Sequence, residues 1–389
     1  MKKLKILSED YSVVKLKRAD IQSLIPFIPS VKDEVVGSSP PEIFVGRYGY
    51  PKVFIGPLIP PFLGRTENLC LTETWFGKEL DEIVRMRIQL IRGKKLLNVL
   101  QVDDKYAQEL REAMLSETSV DMEAKLGSSP RGFLFSEDHQ PFGPSASLEY
   151  LRISPGRTDF RIEKAYYDRD LISTDAVIEL YKKGVPVSRI QQGLSAGLFG
   201  IKRRFVPTRW SITAVDDIIS KHIIEKIKEY PTIDEFRVYY TEYIKNKWAV
   251  IMLPEMWSYE SIEVWFPGTL AKWMGIAGDY EPFSGRKEYA SMGGCYYAGR
   301  LAVAEKLSSE RKQASVIILR EIHPGYIPTG VWNVRETVRN LLRTKPHSFS
   351  SLEECLSFVG KKLSLPVRIW MENSTILRSK KETLESFLL

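Results

Sequence analysis

The chain has 389 residues, 43% of them hydrophobic and 27% charged, with 22 prolines and 25 glycines spread along it. That composition supports two or three packed domains and excludes a disordered, collagen-like or coiled-coil protein. Lysine and arginine number 56 against 49 acidic residues; the net +7 suits phosphate-bearing partners, although a distributed excess is also ordinary surface.

No uncharged apolar run approaches the roughly 18–20 residues that a membrane helix needs. Met1–Lys5 is basic, with no apolar stretch behind it such as a secretory signal requires. The expectation is a cytoplasmic protein with no membrane partner. Cys70, Cys295 and Cys355 are far apart and the four histidines are scattered, so local spacing offers neither a disulfide framework nor a zinc site.

In chain order, a proline-rich entry (25–41) leads to a short strand at Val53–Ile55, ended by Gly56 and Pro57. Thr72 is expected to cap a long helix placing Phe76, Leu80, Val84, Ile88 and Ile91 on one face, with Gly93 as its stop. Leu96–Val102 reads as a buried strand, and Phe160, Ile162 and Ala165–Tyr167 as another. Thr174–Lys183, Gly184 and a second helix opened by Pro186 form either an αα-hairpin or a helix-turn-helix over 174–199. As a reading head it would offer Ser188, Arg189, Gln191 and Gln192 to a groove; the αα-hairpin is the preferred reading. Phe236, Val238 and Tyr240 alternate before a polar turn at Lys245–Lys247 and the apolar run Trp248–Leu253, which predicts an antiparallel hairpin. Further strands are expected at 262–266 and 315–320, and helices at 298–308, 330–343 and 350–361, the last with Ser350 and Glu353 as a capping box. The fold class is therefore α+β, with mainly antiparallel strands. The turn-rich stretch 275–286 is the preferred boundary, separating an N-terminal region (1–275) from a C-terminal one (286–370) and a tail (371–389).

Several patterns can carry chemistry. Gly37-Ser38-Ser39-Pro40 recurs as Gly127-Ser128-Ser129-Pro130, followed by Arg47 and Arg131 respectively. Gly/Ser turns backed by arginine can cradle a phosphate or nucleotide, although any turn uses the same residues. The densest basic stretch is Lys202, Arg203 and Arg204, then Arg209 and Trp210. Its guanidinium groups can hold phosphates and its indole can stack on a base; a solvated rim is the plainer reading. For metal-dependent phosphodiester hydrolysis with magnesium or manganese, the candidates are Asp216 with Asp217, Asp103 or Asp104 beside Lys105, and the acid/base pair Asp138 and His139. No Walker loop, HExxH or GxSxG occurs. Near the C-terminus, Leu384, Phe387 and Leu388 stand at helical i, i+3, i+4 spacing, suited either to a partner's pocket or to the protein's own core.

That terminal pattern resembles the clamp-binding box of replication and repair proteins, with Lys381 where the box has glutamine and Leu388 where it has an aromatic residue. The segments 37–51, Asp138–Pro144, Arg203–Ser211 and Gly330–Glu336 resemble the archaeal Nre family of DNA repair proteins over nearly the whole chain. The resemblance implies DNA damage repair with the sliding clamp, PCNA, as partner. Members often begin with a cysteine-rich zinc motif; here no cysteine precedes Cys70, so zinc is not implied. The family brings no catalytic mechanism to these residues. The leading expectation is a clamp-recruited repair factor that binds nucleic acid or a nucleotide; the alternative is a nuclease acting on damaged or branched DNA.

Overall fold

The computed structural model describes residues 25–269, 271 and 273–380. Among these, one compact unit takes in residues up to Ile219 together with Pro328–Trp332; the other takes Ser220–Ile327 and the residues from Asn333 on. Each is built on a six-stranded, mainly antiparallel sheet.

In the N-terminal unit the strands are β1 (Glu34–Ser39), β2 (Ile43–Val45), β3 (Lys52–Ile59), β4 (Ile91–Asn98), β5 (Val120–Leu126) and β6 (Ser145–Ile153), ordered β1-β5-β6-β4-β3-β2. Only the β4–β6 pairing is parallel among these neighbours. Its helices are α1 (Leu80–Ile88), α2 (Lys105–Ala113), α3 (Phe160–Tyr167), α4 (Ser173–Lys182) and α5 (Val187–Ser195), and the chain passes to the other unit within α6 (Thr208–Ile227).

Sequence periodicity misplaced two elements here. The long helix expected from Thr72 is a 3-10 turn at Thr72–Thr74 followed by α1, because Gly77 adopts φ +92° and interrupts the run. Gly93 does not stop a helix but lies inside β4, where an added Cβ would meet Leu148 Cδ1 at 2.8 Å. The strand expected around Phe160–Tyr167 is α3, started by the Asp159 carboxylate accepting from the Arg161 backbone N–H.

The C-terminal unit holds β7 (Phe236–Tyr243), β8 (Asn246–Leu253), β9 (Ser258–Trp265), β10 (Gly275–Glu281), β11 (Ser315–Ile322) and β12 (His347–Phe349), ordered β10-β9-β11-β8-β7-β12. The predicted hairpin is β7–β8, turning on Ile244 and Lys245, both at positive φ. Strand β11 is buried along its whole length, as a strand covered on both faces must be. On one face, Ile317 and Leu319 join a core with Cys355 and Val359 of α9 (Leu352–Lys362) and Trp370 of α10 (Val367–Asn373). On the other, α7 (Gly294–Glu310) approaches so closely at Gly299 that a Cβ there would stand 2.6 Å from Tyr259 Oη. The remaining predicted helix is α8 (Trp332–Leu341). The α9 cap is Ser351, accepting from the Glu354 N–H, one residue beyond the expected Ser350.

Two sequence boundaries look different in three dimensions. The stretch 275–286 contains β10, hydrogen-bonded in register to β9, so it lies within the second sheet. Residues 371–380 are no free tail. Glu260 accepts from the Ser374 hydroxyl and from the N–H groups of Thr375 and Ile376, while Ile376 and Leu377 are buried. Lys381, Leu384, Phe387 and Leu388 lie outside the described residues.

Candidate nucleic-acid interface

In the N-terminal unit, segments far apart in sequence are pinned to one another by buried polar groups. Glu42, just after β1, is fully buried and receives both Arg87 nitrogens, Nη1 at 2.5 Å and Nη2 at 2.9 Å. Arg87 also donates to the Leu69 and Pro141 carbonyl oxygens at 2.6 and 3.1 Å. It thereby ties the start of the 37–51 segment to the 138–144 loop. Gln192 of α5 accepts from the Ile43 N–H at 3.1 Å, and Thr208 Oγ1 accepts from the Val45 N–H at 3.0 Å. These side chains occupy donors on the outer edge of β2 that a free edge strand would expose.

The same economy explains the αα-hairpin. Ser188 and Arg189 bond to Glu73 and to the Pro41, Met114 and Ser116 carbonyls, and Gln191 donates to Asp216 at 3.0 Å. With Gln192, all four side chains that a reading head would present are buried, so α4–α5 offers no groove-facing helix.

The loop Asp138–Pro144 packs over the sheet. Phe142 is fully buried against Phe44, with ring centroids 5.1 Å apart, and Arg92 lies over both rings. Burial, helped by the neighbouring Arg87 charge, lowers the Arg92 pKa to about 10. Gly330 closes the arrangement from Pro328–Trp332: a Cβ there would meet the His139 carbonyl carbon at 2.5 Å.

Asp138 and His139 are thus both engaged by the fold. Asp138 is 8% exposed and pairs with Arg209 Nε at 2.9 Å. Burial raises its pKa, and the charges of Arg209 and Arg47 oppose that rise. His139 Nδ1 donates to the Gln140 carbonyl at 2.8 Å, an oxygen that can only accept. Burial drives the His139 pKa from 6.5 down to about 4. The folded protein therefore holds a neutral imidazole, whereas the unfolded chain takes up a proton below about pH 6.5. Its contribution to stability is full above that pH and is lost as the pH falls towards 4, by about 3 kcal/mol. Denaturant melts of His139→Phe and the parent should therefore converge between pH 7 and pH 4 by roughly that amount. A constant difference across the range would show that the ring does not titrate this way.

The other predicted residues fall into separate places. Ser38 and Ser39 are not loop residues but end β1, buried, with Ser38 Oγ donating to Asp121 at 2.5 Å and Ser39 Oγ to the Leu58 carbonyl at 2.9 Å. Gly37 is there because a Cβ would stand 1.7 Å from the Pro60 carbonyl oxygen. Ser128 and Ser129 are exposed beyond the far end of β5, whose Asp121 pairs with Ser38. At about 3.4 Å per residue the two repeats are roughly 20 Å apart and do not form one cradle. Arg131 is exposed, its backbone paired with Ser145. Arg203 donates to the Tyr166, Asp168 and Gly200 carbonyls and lies over the Tyr166 ring, which ties it to the fold, whereas Lys202 and Arg204 are exposed. Asp104 caps α2, accepting from the Tyr106 and Ala107 N–H groups. Asp216 is buried on α6 beside the less buried Asp217. Among the described residues no group of three or more His, Cys, Asp and Glu side chains is arranged to hold a metal ion. No helix among them is long and apolar enough to cross a membrane.

What reaches the surface beside Arg209 is aromatic and basic. Trp210, 44% exposed, packs on Tyr50, 43% exposed, with ring centroids 5.2 Å apart. In the same β2–β3 loop Arg47 lies over the exposed Tyr48 ring at 4.9 Å and donates to its hydroxyl. Next to that loop, on the open part of the sheet, Phe54 faces Leu96 across the β3–β4 pair, and both are exposed. Lys94 stands over Phe54 at 5.2 Å, and the exposed Lys52 follows on the same face. Sequence reading found Trp210 and Arg47 but missed Tyr48, Tyr50, Phe54 and Lys94. Alternation of exposed Lys52 and Phe54 with buried Val53 and Ile55 is the signal that β3 turns one aromatic outward.

Sequence models of two families match the chain, "Archaeal Nre, N-terminal" over residues 15–273 and "Archaeal Nre, C-terminal" over 281–387. DNA repair protein NreB of Archaeoglobus fulgidus is 43% identical over 366 residues, covering 92% of this chain and 93% of that protein. DNA repair protein NreA of the same organism is 34% identical, covering 87% of this chain and 88% of the relative. DNA repair protein NreA of Haloferax volcanii is 33% identical, with 79% and 78% covered. No solved structure matches. The two family matches meet between 273 and 281, whereas the compact units of the fold part within α6. On these matches the chain belongs to the archaeal Nre family of DNA repair proteins.

Proposed function

We propose that this protein is a cytoplasmic DNA repair factor that contacts DNA through the aromatic and basic face of its N-terminal unit and is recruited by a sliding clamp through its C-terminal residues. The observation that carries the DNA contact is the exposed Tyr50–Trp210 pair beside Arg47, formed where segments 37–51 and 203–211 meet. Arg47, Lys52 and Lys94 supply cations to phosphates, with the exposed Lys202 and Arg204 nearby in sequence to Arg209. A nucleic acid fits this chemistry because its backbone rewards dispersed cations and its bases reward exposed rings. The clamp contact rests on the spacing of Leu384, Phe387 and Leu388 with Lys381, and on the family.

Both parts are tested on the full chain and on a chain ending at Lys380, which keeps the ordered 374–380 segment and its Lys380–Glu255 ion pair. Calorimetric titration with the cognate clamp is expected to give roughly micromolar binding, about −8 kcal/mol, for the full chain and none for the shorter one. DNA binding by both should weaken with salt in the manner of counterion release. Equal clamp affinity for the two chains would remove the tail from the proposal, and absence of any DNA binding would remove the interface.

A further inference from the structure

The face around Trp210 suits one form of DNA better than the other. Four rings, Tyr48, Tyr50, Phe54 and Trp210, are 68, 43, 46 and 44% exposed within a single hairpin and the helix start beside it. A duplex hides the flat faces of its bases and shows a protein only groove edges and phosphates. Exposed rings gain little from such a surface. Unpaired bases, by contrast, present flat faces that stack on aromatic side chains whatever their sequence. The neighbouring cations are few and spaced along the strands, Arg47 in the loop, Lys52 on β3 and Lys94 on β4, as a single phosphate backbone would use them. The α4–α5 pair does not read a major groove, since the α5 side chains are buried. The nearest acid on the adjoining strand is Glu149 of β6, two residues beyond the Ser147 that pairs with Lys94.

We infer that this face is a stacking platform for unpaired bases, so that the protein takes single-stranded DNA or single-stranded gaps without sequence preference. The inference rests on the DNA-contact reading above and narrows it to one substrate class. Tyr50 and Trp210 form the central step, Tyr48 and Phe54 flank it, and Arg47 and Lys94 hold the phosphates between.

The test measures anisotropy of labelled oligonucleotides with the full chain: a 12-nucleotide strand, its duplex, and the same strand with abasic sites at its centre. The expected result is that the intact strand binds at least about tenfold more tightly than the other two. Tyr50→Ala with Trp210→Ala should weaken strand binding roughly 10–100-fold while leaving the salt dependence unchanged, because phosphate contacts remain. Tyr48→Ala and Phe54→Ala, at exposed positions, provide single variants that keep the fold, each costing roughly fivefold or more. Equal affinity for strand, duplex and abasic strand would overturn the platform while leaving DNA contact intact. Retention of strand preference in all the aromatic variants would overturn it as well. Binding to none of the three would overturn the DNA-contact reading and the platform with it.

Discussion

Replacing Arg87 with methionine is expected to cost the N-terminal unit about 3–5 kcal/mol, a third or more of the stability of an ordinary domain. Glu42 and Arg87 are both fully buried, and Arg87 alone supplies two hydrogen bonds to the Glu42 carboxylate. Removing the guanidinium leaves a carboxylate in the core beside Gln192 Nε2, whose 3.4 Å hydrogen bond cannot replace the two that Arg87 supplied. It also strands the Leu69 and Pro141 carbonyls that Arg87 satisfies. The penalty comes from the charge left behind, so a second change, Glu42→Gln in the same chain, should recover part of it. Urea melts of parent, single and double variants measure this. A single variant melting with the parent would mean that water reaches Glu42 and that the pair is not what joins the two segments.

Gly56→Ala is expected to be at least as damaging, above about 3 kcal/mol. The added Cβ would stand 1.6 Å from the Gly93 carbonyl oxygen and 2.8 Å from its carbon, both backbone atoms of the adjacent strand. Side chains can rotate away from a clash, but β3 and β4 are held by hydrogen bonds on both sides of this point and cannot. Gly46→Ala offers the contrast. There the nearest atom is the Phe54 carbonyl oxygen at 3.3 Å, so a shift of a few tenths of an ångström suffices and the cost should stay within about 1 kcal/mol. Thermal melts of the two variants side by side separate close backbone approach from a general intolerance of alanine.

The two glycines show where sequence reading fails. From sequence, Gly56 reads as the end of a strand and Gly93 as the stop of a helix, because glycine usually punctuates. In the fold both lie within strands and let those strands meet. The β7–β8 hairpin was legible, since alternation, a turn and an apolar run all occur within twenty residues. Strands β9 and β11 were legible as apolar runs for the same local reason, although their parallel pairing was not. In the candidate interface, Arg47 and Trp210 were visible as basic and aromatic letters, yet the Tyr50–Trp210 contact joins residues 160 apart. Arg87 left a faint trace: it stands at helical spacing with Ile83 and Val84, an arginine on an apolar face that calls for a buried acid.

By itself the sequence determined the α+β class, the kinship with DNA repair proteins of the Nre family, and most local elements of the C-terminal half. These depend on residue order and short periods, which a linear reading keeps. Only the tertiary structure decided that Ser38 and Ser39 form the buried end of a strand, that residues 374–376 bond to Glu260, and that Asp138 is paired with Arg209. It also decided which of the described basic residues serve the fold and which face water. The physical reason is that a charge has no fixed role until its surroundings are set. The same guanidinium that holds a phosphate at the surface holds a carbonyl in the core, and only packing across distant segments separates the two.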